Sequence, residues 1–427
     1  MRRGLLASCS LVLISAAVIA GTWALPTLAV DKLGTWSTAA SPISGHQEHT
    51  ATLLRNGKVL VAGGPDASAE LYDPAANRWT PAASMATARV DHTATLLANG
   101  KVLVAGGRVG PYPSNTLATT ELYNPILNSW SPGAPMIGSR AGHTATLLSD
   151  GRVLVVGGSS LVLREGGLFP TQPPDAEVYD PTRNRWTVTS PMGSYRLNHT
   201  ATLLKDGRVL IAGGQGDAGP FASTEIYDAS QDRWVSAAPM GVRRSGHAAV
   251  LMANGDVLVA AGLGVEPNAL SIALTSAELY DPKTNLWVAV ANMAQLHGGH
   301  SATLLGDGMV LVVGTLGHQR PELYDPDRNV WLSTGPAMDR YLHTSTRLPS
   351  GKVLIVGGIG VEAFRSALLY DPAGVAPQNP LALDPRIVAA VVLAALLLMV
   401  GMAMSLPAVR QRLRRWRPRG EPEEWIT

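Results

Sequence analysis

With 427 residues the chain has room for two or three ordinary domains, and its formal net charge of +2 is unevenly spread. Arg2 and Arg3 open the chain, and Arg410, Arg412, Arg414, Arg415, Arg417 and Arg419 face only Glu421, Glu423 and Glu424 after Pro407; the middle is therefore mildly acidic, with no basic bulk for nucleic acid. Cys9 is the single cysteine, which excludes disulfides and thiolate chemistry from the folded middle of the chain.

Residues 1–29 combine Arg2-Arg3, an apolar run and Thr27-Leu28-Ala29, the outline of a signal peptide with cleavage after Ala29. An uncleaved anchor is the alternative. Leu6-Ala7-Ser8-Cys9 has the letters of a lipoprotein box, but the apolar run before it is too short. From residue 33 to residue 373 one unit recurs. Its histidine returns at His49, His92, His143, His199, His247, His300 and His343, at intervals of roughly 43 to 56 residues, the range of propeller repeats. In the second copy, His92-Thr93-Ala94-Thr95-Leu96-Leu97 predicts a short strand, and Asn99-Gly100 a tight hairpin. Residues 101–105 predict a second, doubly buried strand ended by Gly106-Gly107. After a variable segment, Glu121-Leu122-Tyr123 predicts a third strand, stopped by Asn124-Pro125, and Trp130 lies in a fourth. Four short antiparallel strands per repeat make a propeller blade.

The Gly-Gly pair, the Tyr-Asp-Pro and the Trp beyond it resemble kelch repeats, particularly those of bacterial proteins related to the galactose oxidase propeller. The resemblance covers residues 33–373 and implies an all-β, seven-bladed kelch-type β-propeller. Some copies depart from the pattern: Ala261-Gly262 and Gly314-Thr315 replace Gly-Gly, and Leu368 stands where the others have Glu70, Glu121, Glu177, Glu225, Glu278 and Glu322. No Trp-Asp dipeptide closes a strand, which argues against WD repeats.

The third-strand tyrosine occurs seven times, from Tyr72 to Tyr370, but Tyr370 has no following Trp, while a spare Trp36 precedes the first histidine. Trp36-Ser37-Thr38-Ala39-Ala40 is therefore expected to supply the fourth strand of the last blade, leaving no open edge. After the propeller (30–375) comes a Pro-rich linker (376–386). Residues 387–406 then form an apolar span of about 20 residues, expected to cross a membrane as a single helix. The arginine-rich segment 407–427 is the expected cytoplasmic tail, with the propeller outside.

Antiparallel order puts the start of each first strand and the loop between second and third strands on one face, here the upper face. Those loops vary from 65–69 in the first copy to 159–176 in the third and 263–277 in the fifth, and variable loops on a rigid frame are where binding sites sit. Three residues before each histidine stands a second register: His46, Arg89, Arg140, Arg196, Arg244, His297 and Arg340. Two readings compete. The register is either a ring of guanidinium forks for carboxylates or sulfates on a glycan or peptide, or a structural set pairing with the repeat glutamates and carbonyls between blades. The seven repeat histidines are expected to tie blades together. His297 and His318 could meet, but two histidines without a third ligand make no metal site. The copper-radical centre implied by the galactose oxidase resemblance needs a tyrosine cross-linked to a cysteine, and the propeller has no cysteine. No Ser-His-Asp order or phosphate-cradling loop stands out. Glu165, Asp217, Glu266 and Glu362 are loop carboxylates with no distinguishing pattern.

The expectation is a membrane-anchored, extracytoplasmic recognition module. It would bind a protein or glycan, an anionic one among the candidates, through the upper loops, without catalysis, metal or cofactor. An extracytoplasmic carbohydrate-active enzyme with a site in the upper channel, or a structural envelope component, are the alternatives.

Overall fold

The computed structural model describes residues 33–110, 115–164, 167–170, 176–264, 272–360 and 363–374. These belong to one compact unit, Met1–Val375; the second unit, Ala376–Thr427, lies outside the described residues, and so do the signal segment and the apolar span 387–406. Among the described residues no helix is long and apolar enough to cross a membrane.

Seven four-stranded antiparallel sheets follow one another in chain order. Blade 1 is Thr50–Leu53, Val59–Ala62, Ala69–Asp73 and Arg78–Pro81. The innermost strands, from Thr50–Leu53 in blade 1 to Thr344–Arg347 in blade 7, each adjoin the next, and the last adjoins the first, closing a ring. The second strands, such as Val102–Ala105 and Val153–Val156, are buried along their whole length. This accounts for their unbroken apolar sequence: both sheet faces are covered by neighbouring blades. The core accordingly lies between blades. Leu60 and Ala62 of blade 1 pack with Val102, Val104 and Tyr123 of blade 2, and Val59 and Val61 with Leu354 and Val356 of blade 7.

Thr35–Thr38 pairs antiparallel with Ala367–Asp371, setting Trp36 opposite Tyr370 as the fourth strand of blade 7. Their ring centroids are 5.1 Å apart, matching the Tyr–Trp pairs of the other six blades at 4.8 to 5.0 Å. The expected closure by the N-terminal strand is thus observed.

The Gly-Gly pair has a steric cause. A Cβ on Gly106 would lie 2.6 Å from the Arg140 carbonyl and 2.8 Å from the His143 ring of the next blade, and its φ is +63°. Blade 5 carries Ala261 at this position, also left-handed at φ 55°.

Candidate functional site

The segment between blades crosses the upper face and is locked onto the blade it enters. In blade 5, Arg244 Nη1 donates to the carbonyls of Ala261 (2.8 Å) and Ser276 (3.0 Å), and Nη2 to Ser276 Oγ (3.1 Å) and Glu278 Oε1 (2.9 Å). The same carboxylate accepts the amides of Gly241 and Val242 in the incoming segment. Arg89–Glu121, Arg140–Glu177 and Arg196–Glu225 repeat the pair at 2.7, 2.6 and 2.7 Å, with all these arginine side chains buried. Burial pushes the guanidinium pKa of Arg89, Arg196 and Arg244 down, and the paired glutamate opposes it.

His46 and His297 occupy the same place with the same acceptors. His46 Nδ1 lies 3.2 Å from the Gly63 carbonyl and Nε2 3.1 Å from Glu70 Oε1; His297 lies 2.8 Å from the Gly314 carbonyl and 3.0 Å from Glu322 Oε2. Burial raises the Glu70 carboxyl, but hydrogen bonds from His46 and the Ile43 and Ser44 amides outweigh it and hold the group below its usual range. These pairs join each blade to its own incoming segment rather than bridging two blades, because the chain crosses above the blade it is about to enter.

Arg340 differs. It donates to the Gly357 and Ser366 carbonyls and to Ser366 Oγ, and Leu368 takes the place of the glutamate.

The repeat histidines bridge blades as expected. Nε2 of His92, His143, His199 and His247 lies 2.9 to 3.0 Å from the first-strand hydroxyls of Thr50, Thr93, Thr144 and Thr200 in the preceding blade. His49 meets Thr344 and His343 meets Ser301. Ala248 offers no hydroxyl, so His300 faces the Ala260 carbonyl instead. Burial first, then the neighbouring arginine, pushes the pKa of His92 and His199 down to about 3.

Two further repeat positions matter and were not singled out from the sequence. The residue before each histidine is left-handed: Glu48, Asp91, Gly142, Asn198, Gly246, Gly299 and Leu342. Its amide reaches the same position of the preceding blade in Asp91→Glu48, Gly142→Asp91 and Gly246→Asn198, lacing the mouth of the channel. The enrichment in Gly, Asn and Asp was the available signal. The second is an Asn or Asp five residues after each of six tyrosines. Asn128, at φ 47°, accepts both the Tyr123 hydroxyl and the Ala83 amide of the incoming segment.

At the channel mouth Arg108 Nη2 lies 2.9 Å from Glu48 and Nε 2.9 Å from Asp91. Burial, then Asp91, raises the Glu48 pKa against the opposing pull of Arg108. Asp217 is exposed; Glu165, Glu266 and Glu362 lie outside the described residues. His297 is buried against Glu322, whereas His318 is exposed. Upper-face segments carry exposed apolar side chains: Val109, Leu263, Ile272, Leu342 and Phe364.

Residues 92–314 match the KLHDC2/KLHL20/DRC7 Kelch-repeats domain, about half of the chain. The chain belongs to the kelch-repeat family. Shorter stretches resemble curated kelch proteins. Kelch-like protein 25 of Xenopus laevis is 39% identical over 75 residues, 17% of this chain and 12% of that protein. Galactose oxidase of Gibberella zeae is 35% identical over 112 residues, 23% of this chain and 15% of that protein. The chain thus spans only a small part of the curated relatives it matches. Among solved structures, a fungal alcohol oxidase of the AA5 family in complex with copper aligns with TM-score 0.62 and 19% identity, over 80% of this chain and 76% of that one. The structure of YjhT aligns with TM-score 0.54 and 16% identity, over 70% of this chain and all of YjhT. This kelch propeller is therefore related to that of galactose oxidase, and kelch propellers serve protein or ligand binding. The kelch histidines do not suit a copper centre: each of the seven faces a neighbouring blade. Among the described residues no group of three His, Cys, Asp or Glu side chains converges as metal ligands.

Proposed function

We propose that this kelch propeller is a non-catalytic recognition module that binds a protein partner through its upper-face loops. The observation that carries the reading is the contrast between the two kinds of residue on that face. Apart from Arg340, the arginine and histidine registers are buried in fixed pairs, whereas Val109, Leu263, Ile272 and Phe364 stay exposed on the loops between second and third strands, whose length and sequence differ from blade to blade. Exposed apolar side chains on a rigid frame suit a protein surface better than a glycan, which asks for convergent polar groups. On this reading the arginine and histidine registers are structural, with Arg340 set apart below. Residues 1–29 and 387–406 add the proposal of an extracytoplasmic propeller tethered to the cell membrane, with segment 407–427 in the cytoplasm.

The test is a protein and glycan array probed with the full chain and two variants. Val109→Asp combined with Phe364→Ser on the upper face should abolish the protein signal. Ile126→Asp, at a lower-face turn residue that is 91% exposed, should retain it. Loss with the lower-face variant alone, or glycan binding unaffected by either, would contradict the assignment. The alternative is a carbohydrate-active enzyme with a site in the upper channel, without copper-radical chemistry because the propeller has no cysteine; turnover of a sugar substrate by the full chain would establish it.

A further inference from the structure

Six blades set a third-strand glutamate against the buried arginine or histidine; blade 7 has Leu368 there. Arg340 keeps every other partner of its counterparts. Its Nη1 donates to the Gly357 carbonyl at 2.7 Å and to the Ser366 carbonyl, and its Nη2 to Ser366 Oγ, as Arg244 does with Ala261 and Ser276. What is missing is the carboxylate, and among the described residues no acidic group lies within ion-pair distance of Arg340. Arg340 is 5% exposed. Among the described residues burial is the cause that pushes its pKa down to about 10, and none of them supplies an anion to oppose the shift. An uncompensated buried cation is costly, and the cost is relieved by bringing an anion to it.

Space for that anion exists. A cavity of about 500 Å³ opens at this position, lined by Arg340, Ala39, Met338, Ala363, Ser366 and Leu368. Its volume falls within the range of small-molecule sites. Ala337 also lines it, the residue whose counterparts Gly241 and Ala294 donate their amides to the repeat glutamate. Arg340 and Ser366 therefore supply the polar end, and the alanines, Met338 and Leu368 the apolar wall. Thr38, Ser41, Asp339 and the exposed His318 also line the cavity, and the Asp339 charge disfavours a dianion.

We propose that this cavity binds a small monocarboxylate with an apolar body, its carboxylate docked on Arg340 where a glutamate stands in the other six blades. The proposal does not depend on the protein-binding reading of the upper face, although Ala363 and Ser366 of this lining flank Phe364 of that surface.

The experiment titrates the full chain with benzoate at constant ionic strength, with chloride as the balancing anion, and follows thermal unfolding and calorimetric binding. Benzoate should raise the melting temperature saturably. Glucuronate, a polar carboxylate, and phenyl phosphate, a dianion, should each bind at least tenfold more weakly. Leu368→Glu installs the carboxylate in cis: it should melt higher than wild type without ligand and bind benzoate at least tenfold more weakly. Ser41→Trp, at an exposed position on the cavity wall, should also block benzoate and serves if the first variant misfolds. No saturable benzoate effect, equal binding by wild type and both variants, or tighter binding of glucuronate or phenyl phosphate would overturn the proposal.

Discussion

Replacing Arg244 with Met tests the clamp that locks each incoming segment. Arg244 is fully buried and reaches Glu278, itself 3% exposed, at 2.9 Å. Methionine fills part of the volume but leaves the Glu278 carboxylate with only the Gly241 and Val242 amides, and strips the Ala261 and Ser276 carbonyls of a donor. Breaking a buried ion pair from one side costs about 3–5 kcal/mol, because the remaining charge stays desolvated. Urea unfolding near pH 8 should show that loss as a lower midpoint at unchanged slope. Raising the salt concentration should change the difference little, since a buried pair is weakly screened. Glu278→Gln keeps an oxygen for one amide and removes the charge. The double variant should therefore lose less than the sum of the two single losses, by about 1.5–3 kcal/mol, the worth of a charged hydrogen bond. A Met variant with the midpoint of the wild type, or strictly additive losses, would refute the clamp and return this arginine to the ligand-binding reading.

Trp36→Ala should destabilise by about 3–5 kcal/mol, because it removes an aromatic side chain packed against Tyr370 in the closing strand; deletion of 33–40 should cost more by also exposing an edge, and equal melting temperatures would show a different closure. The histidines predict acid sensitivity. His92, His199, His300 and His343 stay neutral in the folded chain down to about pH 3, whereas the unfolded chain protonates them below their usual value of 6.5. Stability is therefore full above 6.5 and falls as pH drops, by up to about 1.4 kcal/mol per pH unit for each histidine; urea midpoints from pH 8 to pH 5 measure the slope. For the proposed topology, protease added to intact cells should remove the propeller and leave a short fragment bearing the arginine-rich tail, and a protected full-length chain would count against it.

Much of the fold was legible because its determinants are local. Period, turn dipeptides and doubly apolar second strands are properties of short stretches, and each repeat restates them. The spare Trp36 even announced the closing partner of Tyr370, since a fourth strand was missing at one end and surplus at the other. The bridging role of the histidines followed from their identical recurrence, and the threonine opposite each, as in Thr144 to His199, belongs to the same repeat.

The sites were less legible, for a physical reason. Where Arg244 points depends on the path of the segment between blades, and no local pattern encodes that path. Only the assembled blade brings the guanidinium 17 residues forward onto Ala261 and pins it with Glu278. The left-handed lacing at Asp91 and Gly142 likewise exists only when neighbouring blades meet. Leu368 was visible as an exception in the sequence. That the exception leaves a buried cation facing a cavity was decided by the tertiary structure alone, because burial and empty space are properties of the packed ring and not of any one residue.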